Sequence, residues 1–193
     1  MVRRSVLAFT YLAIAMLVLS TTVAAHSSVV HDASGDIAAA APRYLDIVHA
    51  KVTEQIGKGL FYFQTVNAEP VPDTPAGFVA WNWFIDVPGG LPVADYVFTV
   101  RFCSQTVQRA CGPGPWHWES SENLLATGTM RLNAFEFKVD GATVKAFVDP
   151  VLFGDPASFK WFAASRDTPA ASGKPSVDLA PDDGPTNRVP FDR

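Results

Sequence analysis

The residues with the most chemical capacity sit in one short stretch, from Cys103 to Glu119. Trp116-His117-Trp118-Glu119 follows the run Gly112-Pro113-Gly114-Pro115. Side chains alternate across a strand, so both indoles would point one way and His117 and Glu119 the other. A pair of exposed indoles makes a flat platform on which a sugar ring or another aromatic group can stack. Trp116, Trp118, His117 and Glu119 are therefore the candidate ligand-binding residues. Tryptophan is also highly buried on average. Both readings stay open for Trp116 and Trp118, which lie beside a Gly/Pro-rich loop of the kind that carries recognition. Trp81 and Trp83 are expected in the core.

Cys103 and Cys111 flank the loop 104–110. In an exported chain such a pair reads as a disulfide, because oxidising compartments favour pairing. The spacing is not C-x-x-C, so a redox-catalytic pair is not expected. His26, His31, His49 and His117 show no metal-ligand spacing. Asp86 and Asp95 bracket a turn and Asp182-Asp183-Gly184 closes the domain-like region. Carboxylates at loop ends can hold Ca²⁺, but Asp is a favoured turn residue in its own right, and turn chemistry is the preferred reading. No metal or other cofactor is expected. G-x-S-x-G, H-E-x-x-H, P-loop and dinucleotide glycine motifs are all missing. No catalytic residue is assigned and the chain is not expected to be an enzyme.

The elements that must position these residues read as strands. Residues 45–54 alternate, with Val48, Ala50 and Val52 on one face. Residues 60–66 are aromatic and β-branched on both faces, which reads as a central strand. In residues 78–87, Trp81, Trp83 and Ile85 share a face. In residues 95–103, Tyr96, Phe98, Val100 and Phe102 oppose Thr99 and Arg101. Residues 134–148 form a hairpin around Asp140-Gly141, a two-residue turn signal. Centred there, the register pairs Phe137 with Val144, Phe135 with Ala146 and Glu136 with Lys145. Residues 150–156 are a loop or one helical turn, and residues 159–165 a last strand. About eight short strands separated by turn signals predict an all-β fold, an antiparallel β-sandwich with an irregular C-terminal tail.

The outer parts of the chain read differently. Arg3 and Arg4, an apolar run over 6–19, and Val23 and Ala25 at the −3 and −1 positions have the order of a secretory signal peptide, residues 1–25. The run is shorter than the roughly 20 residues a membrane span needs. The expected organisation is then a flexible leader over 26–43, a sandwich domain over 44–166, and a Pro/Asp-rich tail over 167–193. That tail either lies extended along the domain or is disordered. The formal charge is −4, and cleavage would remove two arginines and no acid. A nucleic-acid partner, which demands a basic face, is therefore excluded, and no stable membrane span remains after cleavage. The expected localisation is secreted or extracytoplasmic.

A family resemblance adds to this reading. Leu45-Asp46-Ile47-Val48-His49-Ala50-Lys51-Val52 with its glycine turn, Trp81-Asn82-Trp83-Phe84-Ile85-Asp86, Asp95-Tyr96, Phe159-Lys160-Trp161 and Asp178-Leu179-Ala180-Pro181-Asp182-Asp183-Gly184 together resemble the secreted β-sandwich modules of the DOMON and family-9 carbohydrate-binding type. The likeness covers roughly residues 45–184. It implies a binding module rather than an enzyme. Such modules take sugars, haem or calcium, and Met130 with a histidine would be the haem-ligating pair. The pattern often has a second acid two residues after the position of Asp86, where this chain has Pro88. The resemblance thus points to a non-catalytic module for carbohydrate or a cell-envelope component. The alternative is a structural or protein-interaction sandwich domain.

Overall fold

The computed structural model describes residues 26–90, 94–106, 110–168 and 175–193. The expected signal peptide lies outside them. Among the described residues no helix is long and apolar enough to cross a membrane.

Period-two alternation resolves into twelve strands, all paired antiparallel: β1 Ser27–His31, β2 Ile47–Gln55, β3 Leu60–Asn67, β4 Phe78–Asp86, β5 Tyr96–Cys103, β6 His117–Leu124, β7 Thr129–Leu132, β8 Glu136–Asp140, β9 Thr143–Val148, β10 Ser158–Thr168, β11 Val177–Ala180 and β12 Val189–Asp192. One sheet has the order β1-β2-β3-β9-β8. The other runs β11-β10-β4-β5-β6-β7, with β12 pairing β10 beyond the end of β11. The predicted antiparallel β-sandwich is the observed architecture. Among the described residues it has twelve strands rather than about eight. The four additions, β1, β7, β11 and β12, are only four or five residues long, too short for an alternation to show in sequence.

The inner faces carry the core. Trp81, Trp83 and Ile85 of β4, Phe98 and Val100 of β5, Phe61 and Phe63 of β3, and Trp161 of β10 are all fully enclosed. The Trp81 indole Nε1 donates to Asn67 Oδ1 at 2.9 Å and that of Trp161 to Ser28 Oγ at 3.0 Å. Burying the indoles therefore leaves neither of these donors unsatisfied. β3 is central in its sheet, as expected, but buries only one face. Phe61, Phe63, Thr65 and Asn67 are inward, and Tyr62, Gln64 and Val66 half-buried outside.

Three local expectations change. A β-bulge between Ile47 and His49 breaks the alternation of β2, so Ile47, Ala50 and Val52 are buried while Val48 is not. The hairpin turn centres on Gly141-Ala142. Asp140 pairs with Thr143, Phe137 with Ala146 and Lys138 with Lys145. Gly141 takes the positive φ, +55°, that a turn with glycine first requires. The slip is two residues, so the faces are kept. The expected Glu136–Lys145 pair is replaced by Lys138–Asp140, 2.6 Å apart. Residues 150–156 hold one 3₁₀ turn, Pro150–Phe153, capped by the Asp149 side chain.

Among the described residues, neither flank of the expected domain is a loose appendage. Residues 26–43, expected as a flexible leader, contain β1, which pairs with β2 over its whole length. Val30, Ile37 and Ala41 reach the core. In the tail, Asp178, Ala180 and Phe191 are buried. Phe191 stacks on Phe159 at 4.9 Å and meets Phe61 edge-on at 5.2 Å. Phe191→Ala should thus lower stability by about 3–5 kcal/mol, as for other enclosed aromatics. Urea unfolding measures this, and a tail merely resting on the domain would lose less than about 1 kcal/mol.

Candidate functional site

β5 and β6 lie side by side and bring Arg101 opposite Glu119 and Cys103 opposite His117. Cys103 and Cys111 form the expected disulfide, with Cα atoms 6.1 Å apart. Glu119 is 1% exposed. It accepts from Arg101 Nε at 2.7 Å, from the Gly112 backbone N–H at 2.7 Å and from His117 Nε2 at 3.0 Å. Arg101 Nη2 also donates to the Ala110 carbonyl at 2.7 Å. A Cβ at Gly112 would stand 2.7 Å from Glu119 Oε2, so only glycine admits this approach. His117 Nδ1 faces the Pro115 carbonyl at 2.7 Å. With a carbonyl on one nitrogen and a carboxylate on the other, both nitrogens are best satisfied as donors. The Pro115 carbonyl, and after it Glu119, raise the His117 pKa against its partial burial. Arg101, Glu119 and His117 therefore clamp the disulfide-closed loop.

The two indoles of this stretch point the other way, as alternation requires. Trp116 is 37% exposed and stacks on Phe102 at 5.4 Å with an interplanar angle of 13°. Trp118 is half-buried. It meets Phe102 at 55° and packs against Trp81 at 6.1 Å, and its Nε1 donates to the Asp73 carbonyl at 2.9 Å. The two indole planes are therefore not coplanar. Trp118 closes the rim of the core, and one face of Trp116 is covered by Phe102.

A broad concavity lies elsewhere, on the outer face of the seven-stranded sheet. It is an open groove of about 540 Å³. Phe84, Val97, Phe162 and Leu179 form its apolar part, and Asn82, Thr99 and Asn123 add amide and hydroxyl groups. The Phe84 and Phe162 rings stack at 4.4 Å, nearly parallel. Three guanidinium groups reach the groove: Arg101, Arg166 and Arg188. Arg101 is held by Glu119, and Arg188 pairs with Asp86 at 2.5 Å. Arg166 lies over the Phe78 ring, 5.3 Å from its centre, and forms no ion pair with a carboxylate among the described residues. Partial burial and then the charge of Arg101 hold its pKa below the ordinary arginine value. Sequence reading did not assemble this groove. The signal for it was two phenylalanines, Phe84 and Phe162, on the faces opposite the core tryptophans of β4 and β10.

A second cavity of about 420 Å³ lies between the turn after β4 and the start of β10. The acids expected near that turn are occupied structurally. Asp95 accepts from the Val87 N–H at 2.8 Å, and Asp86 meets Arg188. Comparisons with protein-family models, curated proteins and solved structures found no match for the chain.

Two predictions test the clamp. Glu119→Ala leaves the Arg101 guanidinium buried and uncompensated. It should cost about 3–5 kcal/mol in denaturant unfolding, whereas a surface ion pair would cost at most about 1 kcal/mol. For His117 the folded pKa is raised, so its contribution to stability is complete below the ordinary value of about 6.5 and fades as pH rises through the folded value. The Tm advantage of the natural chain over His117→Gln should shrink from pH 5.5 to pH 9. An advantage independent of pH would mean that His117 acts by packing alone.

Proposed function

We propose that the protein is an exported, non-catalytic binding module for an acidic saccharide of the cell envelope, taken into the groove of the seven-stranded sheet. The observation that carries this reading is the groove itself, in which an apolar floor lies beside hydroxyl and amide groups and a guanidinium without a carboxylate partner. A sugar ring offers an apolar face to the floor and hydroxyls to Asn82, Thr99 and Asn123. An acidic substituent would replace the missing counterion of Arg166. Protein sites for small ligands commonly combine such an apolar lining with a few convergent polar groups. The Cys103–Cys111 disulfide is in keeping with an oxidising compartment. Trp116, with one partly open face, stands as a second aromatic contact on a different part of the surface.

A panel of neutral and acidic oligosaccharides titrated against tryptophan fluorescence and calorimetry tests the reading. Saturable binding of acidic members, weakened about tenfold or more by Arg166→Ala, is the expected result, since a hydrogen bond to a charged group contributes about 1.5–3 kcal/mol. Binding indifferent to Arg166→Ala but lost in a Trp116→Ala/Trp118→Ala variant would move the ligand to the aromatic loop.

A protein-interaction role is the second reading, favoured by β7. This strand ends its sheet, all four of its residues are exposed, and Met130 and Leu132 are large and apolar. An uncovered edge of this kind can pair with a strand of another chain. A folded, oxidised protein that binds no saccharide on the panel would favour it.

A further inference from the structure

His26 immediately precedes β1 and is the residue that cleavage after Ala25 leaves at the head of the exported chain. The fold holds it against β2. The Glu54 N–H donates to the His26 carbonyl at 2.9 Å, and the pairing continues from Ser27 opposite Thr53 to His31 opposite His49. This brings the His26 ring to the Glu54 carboxylate. Nδ1 of His26 lies 3.7 Å from Glu54 Oε2, too far for a hydrogen bond. That Nδ1 is closed off from solvent and has no hydrogen-bond partner. The other oxygen of Glu54 is taken, since Arg193 Nε meets Oε1 at 3.0 Å. Arg193 is itself fixed. Its guanidinium lies over the Phe61 ring, 4.9 Å from the centre, and pairs with Asp155, and its backbone N–H donates to the Ala157 carbonyl at 3.0 Å. Glu54 is thereby held with Oε2 toward His26.

A histidine at the head of a chain has a chemistry of its own. Its free α-amine and its Nδ1 close a six-membered chelate ring on a metal ion, and Nε2 cannot reach to do so. Here it is Nδ1 that faces the carboxylate. Two donors held about 2.0–2.1 Å from one ion stand about 2.9 Å apart at a right angle and about 4.1 Å apart across it. The 3.7 Å between Nδ1 and Oε2 falls inside that range. Nitrogen donors with a carboxylate oxygen suit a tetragonal site, the geometry of Cu²⁺ or Ni²⁺. The affinity order of the divalent first-row ions places Cu²⁺ highest. A ligating carboxylate is also commonly oriented by a hydrogen-bond partner behind it, which is the place Arg193 takes behind Glu54.

We propose that the exported chain binds one Cu²⁺ ion at its amino end, through the His26 α-amine, His26 Nδ1 and Glu54 Oε2, with Arg193 positioning Glu54. Processing creates the site. In the uncut chain the His26 nitrogen is an amide, whose lone pair is delocalised and not available to a metal, and cleavage turns it into an amine. The pairing of β1 with β2 then presents that amine and the ring beside Glu54, and the ion ties the amino end to the sandwich. The inference rests on the export and cleavage in the proposed function. It does not depend on the saccharide groove, which shares none of these residues.

The test begins with the intact mass of the protein recovered from the secreted fraction. A chain beginning at His26 is expected. A chain beginning elsewhere has no α-amine on His26 and overturns the proposal together with the cleavage on which it rests. On the chain beginning at His26, calorimetry, thermal unfolding and electron paramagnetic resonance follow chelation, with Cu²⁺, Ni²⁺ or Zn²⁺ added back near neutral pH. One saturable Cu²⁺ site is expected, tighter than for Ni²⁺ or Zn²⁺, with a spectrum that shows coupling to nitrogen. Cu²⁺ should raise Tm, because only an ion that prefers the folded chain stabilises it. A leading histidine acting without Glu54 would bind the unfolded chain as well and give no rise. Glu54→Gln keeps the shape of the side chain and should cost about tenfold or more in Cu²⁺ affinity. A chain that keeps residues 21–25 ahead of His26 should lose as much. Arg193→Gln should weaken binding and alter the spectrum, and Arg193→Lys should restore most of both. The double variant His31→Gln/His49→Gln removes the ring pair 5.0 Å apart on β1 and β2 and should bind as the natural chain does. The proposal alone is overturned, with export intact, if the chain beginning at His26 shows no rise in Tm with Cu²⁺. It is equally overturned if the Glu54→Gln and extended chains bind Cu²⁺ as tightly as the natural one.

Discussion

A layer of aromatic rings between the two sheets sets the geometry of everything outside it. Phe61, Phe98 and Phe159 each meet Phe153 nearly edge-on, at 5.4–5.6 Å, and Trp83 packs beside Phe63. Edge-to-face contacts at these spacings are favourable beyond the area they bury. They also leave little freedom, since an interior at crystal-like density resists displacement of any one ring. Because β4, β5 and β10 must turn their tryptophans and Phe98 inward, the alternate residues of the same strands are committed to the opposite surface. The groove is made of those alternates.

Outside the aromatic layer the polar groups fall into two kinds of arrangement. Around Glu119 the charges are matched. Arg101, His117 and the Gly112 N–H surround one carboxylate, and the disulfide closes the loop above it. At Arg166, and where Asp32 and Asp36 after β1 come close to Asp178 of β11, they are not. A chain with a net charge of −4 thus keeps the Arg166 guanidinium at an open groove, where no carboxylate among the described residues pairs with it. Unmatched charge held in place by a rigid core costs stability, and it suits sites whose partner comes from outside.

Much of the frame was legible along the chain. The alternation in residues 78–87 and 95–103 foretold which side chains enter the core, and the two cysteines beside a short loop foretold the disulfide. The tryptophans at 116 and 118 were correctly placed on one face. Their planes were not legible, because the tilt of Trp118 depends on Trp81, Phe102 and the Asp73 carbonyl, which come from two other strands and a loop. The hairpin was found but its turn was centred one residue early, which slips each pairing by two residues, since Asp140-Gly141 and Gly141-Ala142 both offer glycine a left-handed position. The bulge in β2 left no mark in composition. The short strands β1 and β12 have no pattern of their own, and pairing with β2 and β10 is what orders them.

What the residues determine by themselves is local. They set the period of two that makes strands, the turns that separate them and the face each side chain takes, because these depend on neighbours within a few positions. The tertiary structure alone decides which outer faces become a groove, that Arg166 meets no carboxylate among the described residues, and that Asp32, Asp36 and Asp178 come together. Those properties depend on strand order and on distances across the sheets. They arise only once the aromatic layer has drawn the two sheets together.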